Sequence, residues 1–112
     1  MNPSEFSEVL HDQLQATIDV LGEKADEYAG ENDRLHNFKV AAALGGRTTK
    51  QALAGMMVKH TVSIYDMCWS DGVFDISRWE EKIGDHINYL ILLKAIVVEE
   101  AAALKAEEEQ AQ

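Results

Sequence analysis

The sequence of 112 residues holds a single cysteine, Cys68, and a single proline, Pro3. One thiol cannot build the intrachain disulfide framework on which small secreted domains depend, so a reducing cytoplasmic compartment is expected. No basic-then-apolar leader opens the chain. The most apolar stretch, residues 86–98, contains Lys94 and is too short to span a bilayer, so no membrane partner is expected. Positive charge is also scarce. Ten Lys and Arg face 20 Asp and Glu, a net charge of -10. A phosphate backbone would repel such a chain, which argues against nucleic acid as a partner, and anionic lipid is disfavoured for the same reason. The balance suits a protein that gathers a cation, or one that meets an anion only through a metal.

What is present is helical patterning in one globular unit, with 46% apolar and 27% charged residues. No alternating strand pattern and no internal repeat occur, so the expected class is all-α. Asn2, Pro3 and Glu5 form an N-terminal capping box with proline at the first helical position. The helix they open carries Phe6, Leu10, Leu14, Ile18, Leu21, Ala25 and Tyr28 at spacings of three and four, which predicts one buried face. Gly30 is its expected stop, and Gly22 inside it marks close packing or a kink. A short second helix is expected over about Asp33 to Leu44, stopped by Gly45-Gly46. Thr48 and Gln51 form the next capping box, opening a third helix to about Ser70. Asp71-Gly72 reads as a turn. Ser77 with Glu80 reads as a third box, opening a long fourth helix past Val98. Residues 1–98 then make one helical domain, and residues 99–112 an acidic helical or frayed extension.

The fourth helix is apolar nearly all the way round from Ile87 to Val98, so it needs cover on several sides. Four helices of this length leave one side open, which predicts a homo-oligomer with this helix at the interface. Within it runs a polar row, Glu81, Asp85 and Asn88, at i, i+4 and i+7. Its plain reading is a partly exposed first stretch of helix. Its sharper reading is an oxygen-lined pocket for Mg²⁺ or Mn²⁺. A hairpin turn centred near Gly72-Val73 sets His60 opposite His86, with Ser63 at the level of Lys82 and Asp85. His60, Glu81 and Asp85 are therefore the candidate catalytic and metal-binding group. A second constellation, Lys24, Asp26, Glu27, Tyr28, Asp33, Arg34, His36, Asn37 and Phe38, collects side chains of the types that recognise nucleotides. Here Lys24, Tyr28, Asp33, Arg34 and Asn37, with Asn88, are candidate substrate-binding residues, and Arg34 near a helix start suits a phosphate. An ordinary capped loop is the competing account. Met56, Met57 and Met67, Trp69, Trp79 and Cys68 are expected in the core.

The segment Glu81-Lys82-Ile83-Gly84-Asp85-His86-Ile87-Asn88-Tyr89-Leu90 resembles the second motif of the all-α NTP pyrophosphohydrolases, the MazG-like superfamily. The string around Lys24-x-x-Glu27-Tyr28 and Asp33 to Phe38, followed by Val58-Lys59-His60, resembles small phage-encoded proteins of unassigned function. The first resemblance implies a four-helix MazG-like bundle in which carboxylates hold Mg²⁺ against a nucleoside phosphate. Asp85 takes the motif's last Asp and Gly84 the Gly before it. Lys82 stands where the superfamily places Glu, and the earlier Glu-x-x-Glu falls near His60 and Ser63. The implied metal site is incomplete. The resemblance implies a nucleotide-binding or nucleoside-phosphate-hydrolysing protein. The alternative is a non-enzymatic helical oligomer acting as adaptor or inhibitor by protein contact, or sequestering a small signalling nucleotide.

Overall fold

A computed structural model describes residues 1–23 and 33–111. The expectations for Lys24, Ala25, Asp26, Glu27, Tyr28 and Gly30 lie outside the described residues. The rest forms four α-helices, with no strand among the described residues: α1 (Pro3–Ile18), α2 (His36–Gly45), α3 (Thr49–Trp69) and α4 (Ile76–Ala111).

Local chemistry fixes most of the ends. Asn2 Oδ1 accepts the Glu5 amide at 2.8 Å while Glu5 Oε2 accepts the Asn2 amide at 2.8 Å, the reciprocal box expected at the start of α1. Thr48 and Gln51 repeat that exchange before α3. Gly46 ends α2 in the left-handed region at φ 63°, a conformation open to glycine at no steric cost. Three ends differ from the sequence reading. Past Ile18, α1 widens into a π-helical turn over Asp19–Glu23 that contains Gly22. A Cβ on Gly22 would meet only Ile18, at 3.8 Å, so a widened turn rather than close packing is what this glycine marks. The second helix begins at His36 instead of Asp33, because the Asp33 carboxylate accepts the Leu35 amide and holds residues 33–35 in a turn. The third difference is in α4, which starts at Ile76. The Asp75 carbonyl accepts the amides of Arg78 and Trp79, so Ser77 lies inside the first turn and the Ser77–Glu80 box is not the cap.

The core is small and sits where α2, α3 and α4 meet. Leu35, Phe38, Leu53 and Ile96 form its buried cluster, with Met56, Met57, Tyr89, Leu92 and Leu93 packed around it. Met67 is buried, as expected of core filler. Cys68 and Trp69 are not: both are exposed, and the Trp69 ring lies tilted against Tyr65 one turn back, centroids 6.0 Å apart. They fall on the outer side of α3 because Met67 takes the inward position of that turn.

The largest correction concerns α1. Its apolar stripe does not face the bundle: Phe6, Leu10, Leu14 and Ile18 remain 46–60% exposed. The buried residue of this helix is Thr17, whose hydroxyl takes a hydrogen bond from Gln13 Nε2 at 3.1 Å. Periodicity states which residues share a face; it does not state which face finds cover within one chain. On α4, Leu90, Ile91, Val97 and Val98 are likewise exposed, so one side of the apolar helix stays open, as its composition requires.

Beyond Val98 the helix continues without interruption to Ala111. Glu99 and Glu100 do more than solvate it. Lys39 binds both Glu99 and Asp33, the latter at 2.7 Å, and Lys50 reaches Glu100 at 3.1 Å, so the starts of α2 and α3 are tied to α4. The Lys39 ammonium, and then the Leu35 amide, hold the Asp33 carboxyl below its ordinary value of 3.8. Asp33, and then Glu99, hold Lys39 above its ordinary 10.5. A lowered carboxyl stabilises the fold above the unfolded value and loses that contribution as pH falls through the folded one. A raised ammonium does the reverse at the alkaline end. Lys39→Met should therefore lower the urea midpoint at neutral pH, with the difference from the parent shrinking as Asp33 protonates in acid. Equal midpoints at neutral pH would show that the tie contributes nothing.

Candidate functional site

The polar row lies where expected, one residue above the next along α4, but its surroundings differ from those the sequence suggests. Its facing wall is chiefly α1. A groove of about 710 Å³ runs between the two helices, from Val9 to Val20 on one side and from Ile76 to Asn88 on the other. Asp12, Gln13 and Thr17 face Glu81, Asp85 and Asn88 across it, with Val9, Ala16, Val20, Trp79 and Ile83 supplying apolar surface. Four carboxylates line this groove, Asp12, Glu80, Glu81 and Asp85, and among the described residues neither Lys nor Arg does. The α1 segment itself contains no Lys or Arg.

The third helix contributes a smaller share. The hairpin brings α3 against α4 with a register one residue off that expected: Thr61 Oγ1, in place of His60, shares a hydrogen bond with His86 Nε2 at 3.0 Å, and the His60 ring lies on Tyr89 with centroids 4.9 Å apart. His60 Nδ1 stands 3.9 Å from Asp85 Oδ2, too long for a hydrogen bond and close enough for a charge interaction once the imidazole is protonated. The turn at Gly72 that sets this register is closed by its own amide donating to Ser70 Oγ at 3.0 Å. His60 and Asp85 are thus brought together. Glu81, one turn earlier, is exposed, and among the described residues no three His, Cys, Asp or Glu converge as a metal group. Ser63 is half-buried on α3.

Asn88 is the unusual member. Its Oδ1 is buried and accepts no hydrogen bond among the described residues. A buried carbonyl oxygen left without a donor carries a desolvation cost that most native groups avoid. Gly84, between the acidic positions, is the other. A Cβ built there meets nothing within 4 Å, so its missing side chain leaves the groove open. Gly84→Ala should add about 1 kcal/mol to the stability of α4, since alanine is the better helix former and nothing opposes the methyl group. Its check is a higher urea midpoint at unchanged m; a lower midpoint would mean that the backbone around residue 84 needs glycine.

The second constellation divides. Asp33 is committed to Lys39 and to the Leu35 amide, which makes it a structural cap in place of a free ligand. Arg34 follows it, half-buried, in the turn before α2, and Asn37 lies in the first turn of that helix, exposed. Lys24 and Tyr28 are outside the described residues. Sequence reading missed Asp12, Gln13, Thr17 and Trp79 as site residues. The available signal was Asp12-Gln13 and Thr17 among Val9, Ala16 and Val20, a second face of α1 less apolar than the Phe6 stripe. No helix of the described residues is long and apolar enough to cross a membrane. No family model, curated protein or solved structure matches this chain.

Proposed function

We propose that the protein works by contact with other proteins, as a non-enzymatic helical module that self-associates and presents a groove. The observation that carries this reading is the uncovered stripe of Phe6, Leu10, Leu14 and Ile18, four large apolar side chains in a row on one helix. Contiguous apolar surface of this kind on a small chain marks an interaction face. Along one border of the stripe Ser7, His11 and Gln15 follow Phe6, Leu10 and Leu14, with Ser7 Oγ and His11 Nδ1 3.3 Å apart, and an acidic residue, Asp19, follows only at Ile18. Two copies can therefore bring these stripes together in antiparallel fashion, with the Asp19 end of each away from that of the other, despite the net charge. Light scattering over a dilution series tests the reading. A mass above that of one chain, falling on dilution, supports it; a monomer at all concentrations that also binds no protein counts against it.

A second reading has one observation in its favour. Asp85 Oδ2, Glu81 and the orphaned Asn88 Oδ1 are oxygen donors on one helix face, the type of ligand a hard divalent cation takes. With Mg²⁺ or Mn²⁺ bound, the acidic groove could receive a nucleoside phosphate that it would otherwise repel. This reading keeps the MazG-like resemblance as ancestry and gives His60 and Asp85 the role of holding metal or water. Thermal stabilisation by an NTP or dNTP only when Mn²⁺ is present, lost in Asp85→Ala, would favour it. The contact reading expects Asp85→Ala to keep self-association.

A further inference from the structure

We propose that the groove between α1 and α4 is the docking site for a basic amphipathic helix of a partner protein. This rests on the contact reading and adds the partner's chemistry. The groove offers acceptors and apolar surface together: the carboxylates of Asp12, Glu80, Glu81 and Asp85, the Asn88 Oδ1 that finds no donor among the described residues, and the side chains of Trp79 and Ile83. What fills it must supply donors and positive charge, which Lys and Arg do and phosphate does not. A second copy of this chain would bring a net charge of -10 to a wall already carrying four carboxylates, so charge complementarity selects a basic partner here. The shape suits a helix. Each wall spans about three helical turns at ~1.5 Å rise per residue, and a docked helix lays its apolar positions into such a trough at spacings of three and four. Gly84 leaves open the place where the partner's backbone comes nearest, since even a methyl group at that position would meet nothing within 4 Å.

The test uses the full chain and a labelled synthetic peptide of Leu and Lys arranged at helical spacing, read by fluorescence anisotropy. Its controls are a scrambled peptide of the same composition and the same pattern with Glu in place of Lys. The patterned Lys peptide should bind saturably and at least about tenfold tighter than the scramble, and the Glu peptide should not bind. Gly84→Leu fills the groove and should weaken binding by about tenfold or more, with helicity retained. The combined Asp12→Asn, Glu80→Gln, Glu81→Gln variant serves as an independent second probe and should reduce affinity without altering the fold. Equal affinity for patterned and scrambled peptides, or full affinity in both groove variants, overturns the proposal. So does absence of peptide binding together with Mn²⁺–ATP binding that Gly84→Leu abolishes, which gives the groove to a nucleotide. Self-association measured by light scattering on the same samples stands or falls separately, so loss of the docking site is distinguishable from loss of the contact reading.

Discussion

Leu53→Ala is expected to lower the free energy of unfolding by about 3 kcal/mol, read as a fall in the urea midpoint at unchanged m. The side chain is fully buried, at 0% exposure, and belongs to the buried cluster that joins α2, α3 and α4. Removing it takes away both the transfer free energy of its methyl groups and the packing of Phe38 and Ile96 across the resulting void. Helix backbones cannot close such a gap without disturbing the other contacts they make. In a domain whose total stability is of the order of 5–15 kcal/mol, this is a large fraction. The matched control is Leu44→Ala, at a position 85% exposed, where the change should stay within about 0.5 kcal/mol. Similar losses at the two positions would mean that the cluster is not the centre of stability.

The paired change Leu10→Glu and Leu14→Glu should have its effect on assembly and leave folding nearly intact. Both residues are about half exposed in the single chain, so carboxylates there are accepted by water in a monomer. Between two copies they would be buried facing apolar surface without partners, where the penalty is several kcal/mol per uncompensated charge. The double variant should scatter as a monomer at concentrations where the parent is assembled, with unchanged helicity. A variant that assembles as before would place the self-contact elsewhere, most directly on the exposed Leu90, Val97 and Val98 face of α4.

How much of this was legible in the sequence depends on the range of the interaction. Asn2 with Glu5, and Thr48 with Gln51, act over three residues, and both boxes form as read. The Gly46 stop is local too. The α3–α4 pairing was legible to within one residue, since a short turn at Gly72 leaves few alternatives, but Thr61 rather than His60 meets His86. The Ser77 box failed to local competition, because the Asp75 carbonyl starts the helix two residues sooner. The site was less legible. Asp85 and His60 were paired correctly, but the wall opposite Glu81 and Asn88 was assigned to α3 when α1 supplies it. Two faces of α1 compete for the bundle. The more apolar one loses, because the smaller side chains of Ala16 and Thr17 let α1 approach α4. Hydrophobic periodicity ranks faces by apolarity, and packing ranks them by fit.

The position of the core has a kinetic consequence. All four residues of the buried cluster come from α2, α3, α4 and the turn before α2, and the only buried side chain of α1 is Thr17. Stability is therefore unevenly distributed: α1 can lift from α4 at a free energy well below that of global unfolding. Its amides should exchange with deuterium early, ahead of those around Leu53 and Ile96. Each such opening widens the channel between α1 and α4 while the rest of the molecule stays folded, so entry into it is governed by the lifetime of a partial opening instead of by a fixed aperture.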